Sequence, residues 1–152
     1  MRARRVKVPE EIRALDALDR PGYADAFEAR AHDSAERSAE AWARSVFEEL
    51  PGWRQLLLVL GWRVWLGFRP GPRGAGHVLG WRITHATPGS ITLAQNSRLL
   101  AAHLVLRANG ARLVLVTVVR RENLLGRLLW SVAAPVHRFA ALRLLRRAAA
   151  RR

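Results

Sequence analysis

Residues 99–121 read LLAAHLVLRANGARLVLVTVVRR, and this stretch decides the fold class. Apolar residues recur at every second position on both sides of Asn109-Gly110, as they do where side chains alternate across a strand. Asn-Gly is a strong short-range hairpin signal, because a type I′ turn needs positive φ at both central residues. With those two residues at the tip, Leu106 is expected opposite Leu113 and Leu104 opposite Leu115. One face of the hairpin then carries Leu100, Ala102, Leu104 and Leu106 with Leu113, Leu115, Thr117 and Val119. The other carries Ala101, Val105, Val114, Val116 and Val118, with Arg107, Arg112 and Arg120 at its ends. An antiparallel sheet commonly leaves one face to water. Two apolar faces predict cover on both, from helices or from a second subunit in a homodimer.

Working outward, His77–Ala86 and Ser90–Asn96 read as two further strands, joined by Pro88-Gly89, which suits the centre of a type II turn. With Leu99–Ala108 and Ala111–Arg121 they make a four-stranded antiparallel meander. After it, Asn123 can cap a long helix from Leu124 to about Ala149, in which Pro135 is expected to produce a kink. Leu124, Leu125, Leu128, Leu129, Val132, Val136, Phe139, Leu142 and Leu145 form a stripe near the 3.6-residue period, and that stripe is expected to face the sheet.

Before the meander, Tyr23–Arg30 alternates as a strand with one buried face. Ser38 is a good N-cap for a helix that puts Trp42, Val46 and Leu50, with Ala43 and Phe47, on one side and ends before Pro51-Gly52. The segment Trp53–Phe68 is apolar nearly all round and carries Trp53, Trp62 and Trp65. It is shorter than the roughly 20 residues that span a bilayer and contains Gly61 and Arg63, so it reads as a buried or interfacial helix. Pro70–Gly74 is a loop. Residues 1–20 are expected to be a flexible arm or a short helix, Glu10–Leu18, closed by Pro21-Gly22. That leaves residues 21–150 as a single α+β domain.

The chain has no cysteine, which excludes disulfides and thiolate chemistry. Its basic start is followed by Pro9, Glu10 and Glu11 where a signal peptide would be apolar, so a cytoplasmic location is expected. The net charge of +14 is unevenly spread: residues 1–49 hold nine basic and eleven acidic groups, whereas residues 50–152 hold seventeen basic groups and only Glu122. Such a field attracts anions, from acidic lipid to carboxylate ligands. Trp53, Trp62 and Trp65, flanked by Arg54, Arg63, Arg69 and Arg73, suit peripheral contact with an anionic membrane. No helix-turn-helix, RNP or KH pattern is present, so nucleic acid is not the expected partner.

Three segments carry a family resemblance. They are Tyr23-Ala24-Asp25-Ala26-Phe27 with Trp42-Ala43-Arg44, then Leu79-Gly80-Trp81-Arg82-Ile83, then Asn123-Leu124-Leu125-Gly126-Arg127 to Trp130 with Pro135-Val136-His137-Arg138. Over about residues 20 to 148 the chain resembles the helix-grip fold of the START-like, polyketide-cyclase-like (SRPBCC) superfamily. More narrowly it resembles an uncharacterised bacterial domain family near it. The resemblance implies a sheet curled around the last helix, enclosing a site for an apolar ligand or lipid.

Catalysis has few candidates. Paired carboxylates within the sheet are ruled out, and a Ser-His-Asp arrangement would need Asp16, Asp19, Asp25 or Asp33 to reach in from the first quarter of the chain. His103, in mid-strand, is the candidate base for a cyclase- or dehydratase-like reaction. His77 and His85 have no carboxylate or cysteine nearby, so no metal site is expected and no cofactor is implied. The residues expected around a bound amphipathic molecule are Trp81, Gln95, Leu104 and Leu115, with Thr117, Leu128, Val132 and His137. His137 is alternatively expected to bond the Ser131 carbonyl freed by Pro135. The balance favours binding over turnover.

Overall fold

The elements follow one another as β1 (Ala3–Val6), α1 (Glu10–Leu15), β2 (Tyr23–Arg30), α2 (Ala39–Phe47) and α3 (Gly52–Trp65). Then come β3 (His77–Val78), β4 (Trp81–Thr87), β5 (Ser90–Asn96), β6 (Leu100–Asn109), β7 (Arg112–Arg121) and α4 (Leu124–Ala150). This computed structural model describes residues 2–15, 22–31 and 37–151; the expected positions Asp16, Leu18, Asp19, Pro21 and Asp33 lie outside them. The seven strands form one antiparallel sheet in the order β1-β2-β7-β6-β5-β4-β3.

Strand alternation sorts the sheet into two faces. The inner face, with Phe27, Leu93, Leu104 and Leu115, packs with α2 and α4 into the main core. The outer face carries Ala26, Ala101, Val105, Val116 and Val118, and Val8 and Ile12 cover it. Both faces are therefore covered, as the two apolar sides of residues 99–121 require. The outer cover comes from the segment expected to be an arm. Its residues 3–6 add a strand to β2, and Glu11 bonds Arg107 at 2.7 Å.

The central hairpin forms with a different register. Asn109 pairs with Arg112, so Gly110 and Ala111 are the two loop residues. Among them only Gly110 has positive φ (55°), which a turn with glycine at its first central position needs. Leu106 consequently pairs with Leu115 and Leu104 with Thr117. The slip is two residues, so every side chain keeps its face. Pro88-Gly89 likewise joins its strands without positive φ at Gly89, and no type II turn forms.

The first meander strand is divided. Leu79 (φ 44°) and Gly80 (φ 82°) turn the chain sharply between β3 and β4, making the meander five strands instead of four. The Leu79 backbone N–H donates to Glu48 at 3.0 Å, and the Leu79 side chain is buried. Arg44 holds the same region: it donates to Glu40 and Glu48 and to the carbonyls of Gly74, Ala75 and His77.

Ser38 caps α2 by accepting from Ala41 N, and Trp42, Ala43, Val46 and Phe47 are buried as their spacing demands. Asn123 caps α4, which runs unbroken through Pro135. The leucine stripe faces outward from Leu124 to Phe139, and only its end, Leu142 and Leu145, turns to the core. Gly126, Trp130, Ala134, Ala141, Leu145 and Ala148 are buried, whereas Leu124, Leu125, Leu128, Val132, Val136 and Phe139 face solvent. At the start of α4 a small residue is required for close approach: a Cβ on Gly126 would overlap the Leu99 carbonyl.

Candidate functional site

A cavity of about 360 Å³ opens between the inner face of the sheet, α3 and α4. Between the buried Trp130 and Leu145, the sheetward side of α4 is alanine-rich, and Ala133, Ala140 and Ala141 line the space they leave. Trp81, Ala102, Leu104, Leu115 and Val119 form the sheet wall. On the far side α3 contributes Leu57, Leu58, Gly61, Trp62 and Trp65. Trp62 anchors that helix, packing edge-on to Trp81 at 5.4 Å and to Phe47 at 6.3 Å. Leu57, Trp65, Val132 and Val136 line the cavity yet are more than half exposed, so the mouth lies between α3 and α4.

Apart from the indole nitrogens, polarity enters the wall through two side chains, Thr117 and His137. The register places Asp25 directly opposite Thr117, and alternation puts Tyr23 on the same face as Asp25. His137, from α4, brings Nε2 to 2.9 Å from Thr117 Oγ1 and 3.6 Å from Asp25 Oδ2. Tyr23 O–H donates to Asp25 Oδ2 at 2.6 Å. Asp25 Oδ1 is buried and has no hydrogen-bond partner. Trp130 packs beside both partners, edge-on to Tyr23 at 5.0 Å and tilted against His137 at 5.4 Å.

Burial alone would raise the Asp25 pKa, but its polar neighbours His137, Tyr23 and Thr117 outweigh it and hold the carboxyl below its ordinary value. Burial pushes the Tyr23 phenol up, and its bond to the Asp25 carboxylate pushes it further. An ionised carboxylate only accepts, which favours the imidazole proton on Nε2. The arrangement can hold the polar end of a molecule whose remainder lies on the apolar wall, and His137 is the group there able to move a proton.

The expected residues Trp81, Leu104, Leu115, Thr117, Val132 and His137 do meet at this cavity. Leu128 does not: it lies on the outward stripe of α4, 59% exposed. Gln95 turns away and donates to the Gly80 carbonyl at 2.8 Å. His137 bonds Thr117 instead of the Ser131 carbonyl. His103 sits on the opposite face, beside a second, polar concavity of about 340 Å³ with Arg69, His77, Arg82 and Arg120. Glu122 accepts from Arg120 at 2.8 Å. Asp25 was expected only as one of four carboxylates that could reach in for a triad, and neither it nor Tyr23 was among the residues expected around a bound molecule. Their signal is a charged residue on the buried side of an otherwise apolar strand, Tyr23-Asp25-Phe27-Ala29.

Neither the curated proteins nor the solved structures include a match to this chain. The profile of one family matches residues 17–142, the greater part of the sequence. The chain belongs to that family, described as "Protein of unknown function (DUF2867)".

Proposed function

We propose that the chain is a helix-grip-like module that binds an apolar or amphipathic small molecule between its sheet and α4. One observation carries this reading: a largely apolar cavity of about 360 Å³ with a polar pair, Thr117 and His137, on its wall. Small-molecule sites typically occupy roughly 300–1,000 Å³ and combine apolar walls with a few placed polar groups. The relation to the SRPBCC superfamily is supported by the order of elements: β2, two helices, an antiparallel run, then a long helix, with β7 returning to pair with β2. On this reading the tail of the ligand lies against Leu104, Leu115 and Trp62, and its head group hydrogen-bonds to Thr117 and His137. Any acid–base work on the ligand would fall to His137, held by Asp25, because His103 lies on the other face.

Native mass spectrometry of protein from the producing cells tests the proposal, with an Ala102→Trp variant that fills the cavity as control. A co-purifying amphipath that the variant loses while keeping its fold is the expected result. Wild-type protein that carries nothing and binds no apolar fluorophore more tightly than the variant does would overturn it.

A further inference from the structure

The outward sides of α3 and α4 are apolar where a water-facing surface is normally polar. On α3, Trp53, Leu56, Leu57, Leu60 and Val64 are 45–73% exposed. At 3.6 residues per turn these five fall within an arc of about 100°. Arg63 flanks one side of the arc and Arg54 the other, with the Arg54 guanidinium 5.0 Å above the Trp53 ring. On α4 the exposed stripe from Leu124 to Phe139 is continued by Arg143 and Arg146, and the Arg143 guanidinium lies 4.8 Å from the Phe139 ring. The two faces meet at the cavity mouth, through Leu57 and Trp65 on one side and Val132 and Val136 on the other. Among the described residues no carboxylate pairs with Arg54, Arg63, Arg143 or Arg146.

Contiguous apolar surface of this kind marks an interaction site. A second copy of the chain would bring one arginine-rimmed face against another, each copy with a net charge of +14. Nucleic acid would use the arginines but leave the leucines and valines in water. An anionic bilayer satisfies both: apolar side chains enter the acyl boundary while guanidinium groups reach back to the headgroups. Length and composition would let α4 cross a membrane (mean hydropathy 1.2), but Trp130, Ala134, Ala141 and Leu145 are packed on the sheet, so the helix can offer only its outer stripe. We propose that α3 and α4 together dock this chain on an anionic membrane surface, with the cavity mouth turned toward the lipid. Docking does not depend on what occupies the cavity.

Flotation with phosphatidylcholine vesicles, with and without phosphatidylglycerol, tests the proposal across a salt series. The full chain is expected to float with the anionic vesicles, to stay behind with the zwitterionic ones, and to detach as salt rises. Arg54→Gln/Arg63→Gln should weaken binding about thirty-fold, each arginine near an anionic surface contributing roughly a factor of five. Leu56→Ser/Leu60→Ser/Val64→Ser should abolish flotation at every salt concentration. Because these three side chains are exposed and outside the cavity, the melting temperature and fluorophore binding should persist. No flotation by the wild type, with a sedimenting dimer that the serine variant dissociates, would assign the face to a second copy. Duplex DNA binding that survives the serine substitutions, again without flotation, would assign the charge to nucleic acid. Either result overturns membrane docking.

Discussion

Substituting alanine for glycine at two helical positions should move stability in opposite directions. Gly126 stands in the first turn of α4, where its N–H donates to Asn123 Oδ1 at 2.8 Å. A methyl group there would overlap the Leu99 carbonyl oxygen and stand 3.0 Å from its carbon. That carbonyl cannot yield freely, because it accepts from Glu122 N at 2.9 Å. Helix propensity alone favours alanine by about 1 kcal/mol. Overpacking costs about 1–3 kcal/mol, and the disturbed backbone bond about 1 kcal/mol more. The net for Gly126→Ala is a loss of about 2 kcal/mol, or a fall in Tm of roughly 4–8 °C for a chain of this size. Gly61, in α3, has nothing within 4 Å of where its Cβ would stand. Gly61→Ala therefore keeps the propensity gain, up to about 1 kcal/mol, and should raise Tm by roughly 2–4 °C. Thermal and urea unfolding of both variants, followed by circular dichroism, checks the pair. A Gly126→Ala protein that melts at or above the wild type would refute the close seating of α4 on Leu99.

Three further outcomes follow from the polar cluster and from Arg44. The folded-state pKa of Asp25 lies below its ordinary value, so the stability it contributes is complete above about pH 3.9 and fades as pH falls through the folded value. Asp25→Asn should lack that acid-range decline, so urea titrations should show the gap between wild type and variant narrowing toward low pH; a constant gap would contradict it. Tyr23→Phe removes the donor to a buried carboxylate oxygen and should cost about 1.5–3 kcal/mol, and an unfolding free energy within experimental error of the wild type would contradict the bond. Arg44→Met severs bonds to Glu40, Glu48 and three carbonyls. Since the side chain is part-exposed, a loss of about 1–3 kcal/mol is expected, with faster hydrogen exchange at the Leu79 N–H; unchanged exchange there would count against the clamp.

Local chemistry was legible wherever one interaction dominates. Ser38 and Asn123 act as caps because each offers an acceptor to N–H groups that the helix leaves without partners. The faces of β6 and β7 were legible too, and they survive the two-residue slip at Gly110 because side-chain alternation has period two. The turn at Leu79-Gly80 was not, since leucine at positive φ is unfavourable locally and is held there by burial and by Glu48, which is 31 residues away. The orientation of α4 was misread by assuming that the larger apolar residues go inside. The inward side instead carries Trp130 and Leu145 with alanines between them, and those alanines leave the cavity open. For the candidate site, the pairing of Asp25 with Thr117 needs the β2–β7 register, and residues so far apart in the chain give no local sign of it. The polarity of Asp25 on an apolar strand face was the visible trace.

The two borders of the sheet have different kinds of protection. At one border β3 is only two residues long, so it offers a neighbouring chain almost nothing to add to. At the other, among the described residues, the free edge of β2 is paired by residues 3–6 of its own chain. A protease cutting ahead of Tyr23 would release that shield, opening the β2 edge at Ala26–Ala29 while β2 stays paired to β7, and baring Ala101, Val105, Val116 and Val118 at once. Trimmed molecules would then tend to self-associate edge to edge, so precipitation on storage would track loss of the first few residues before any loss of the core.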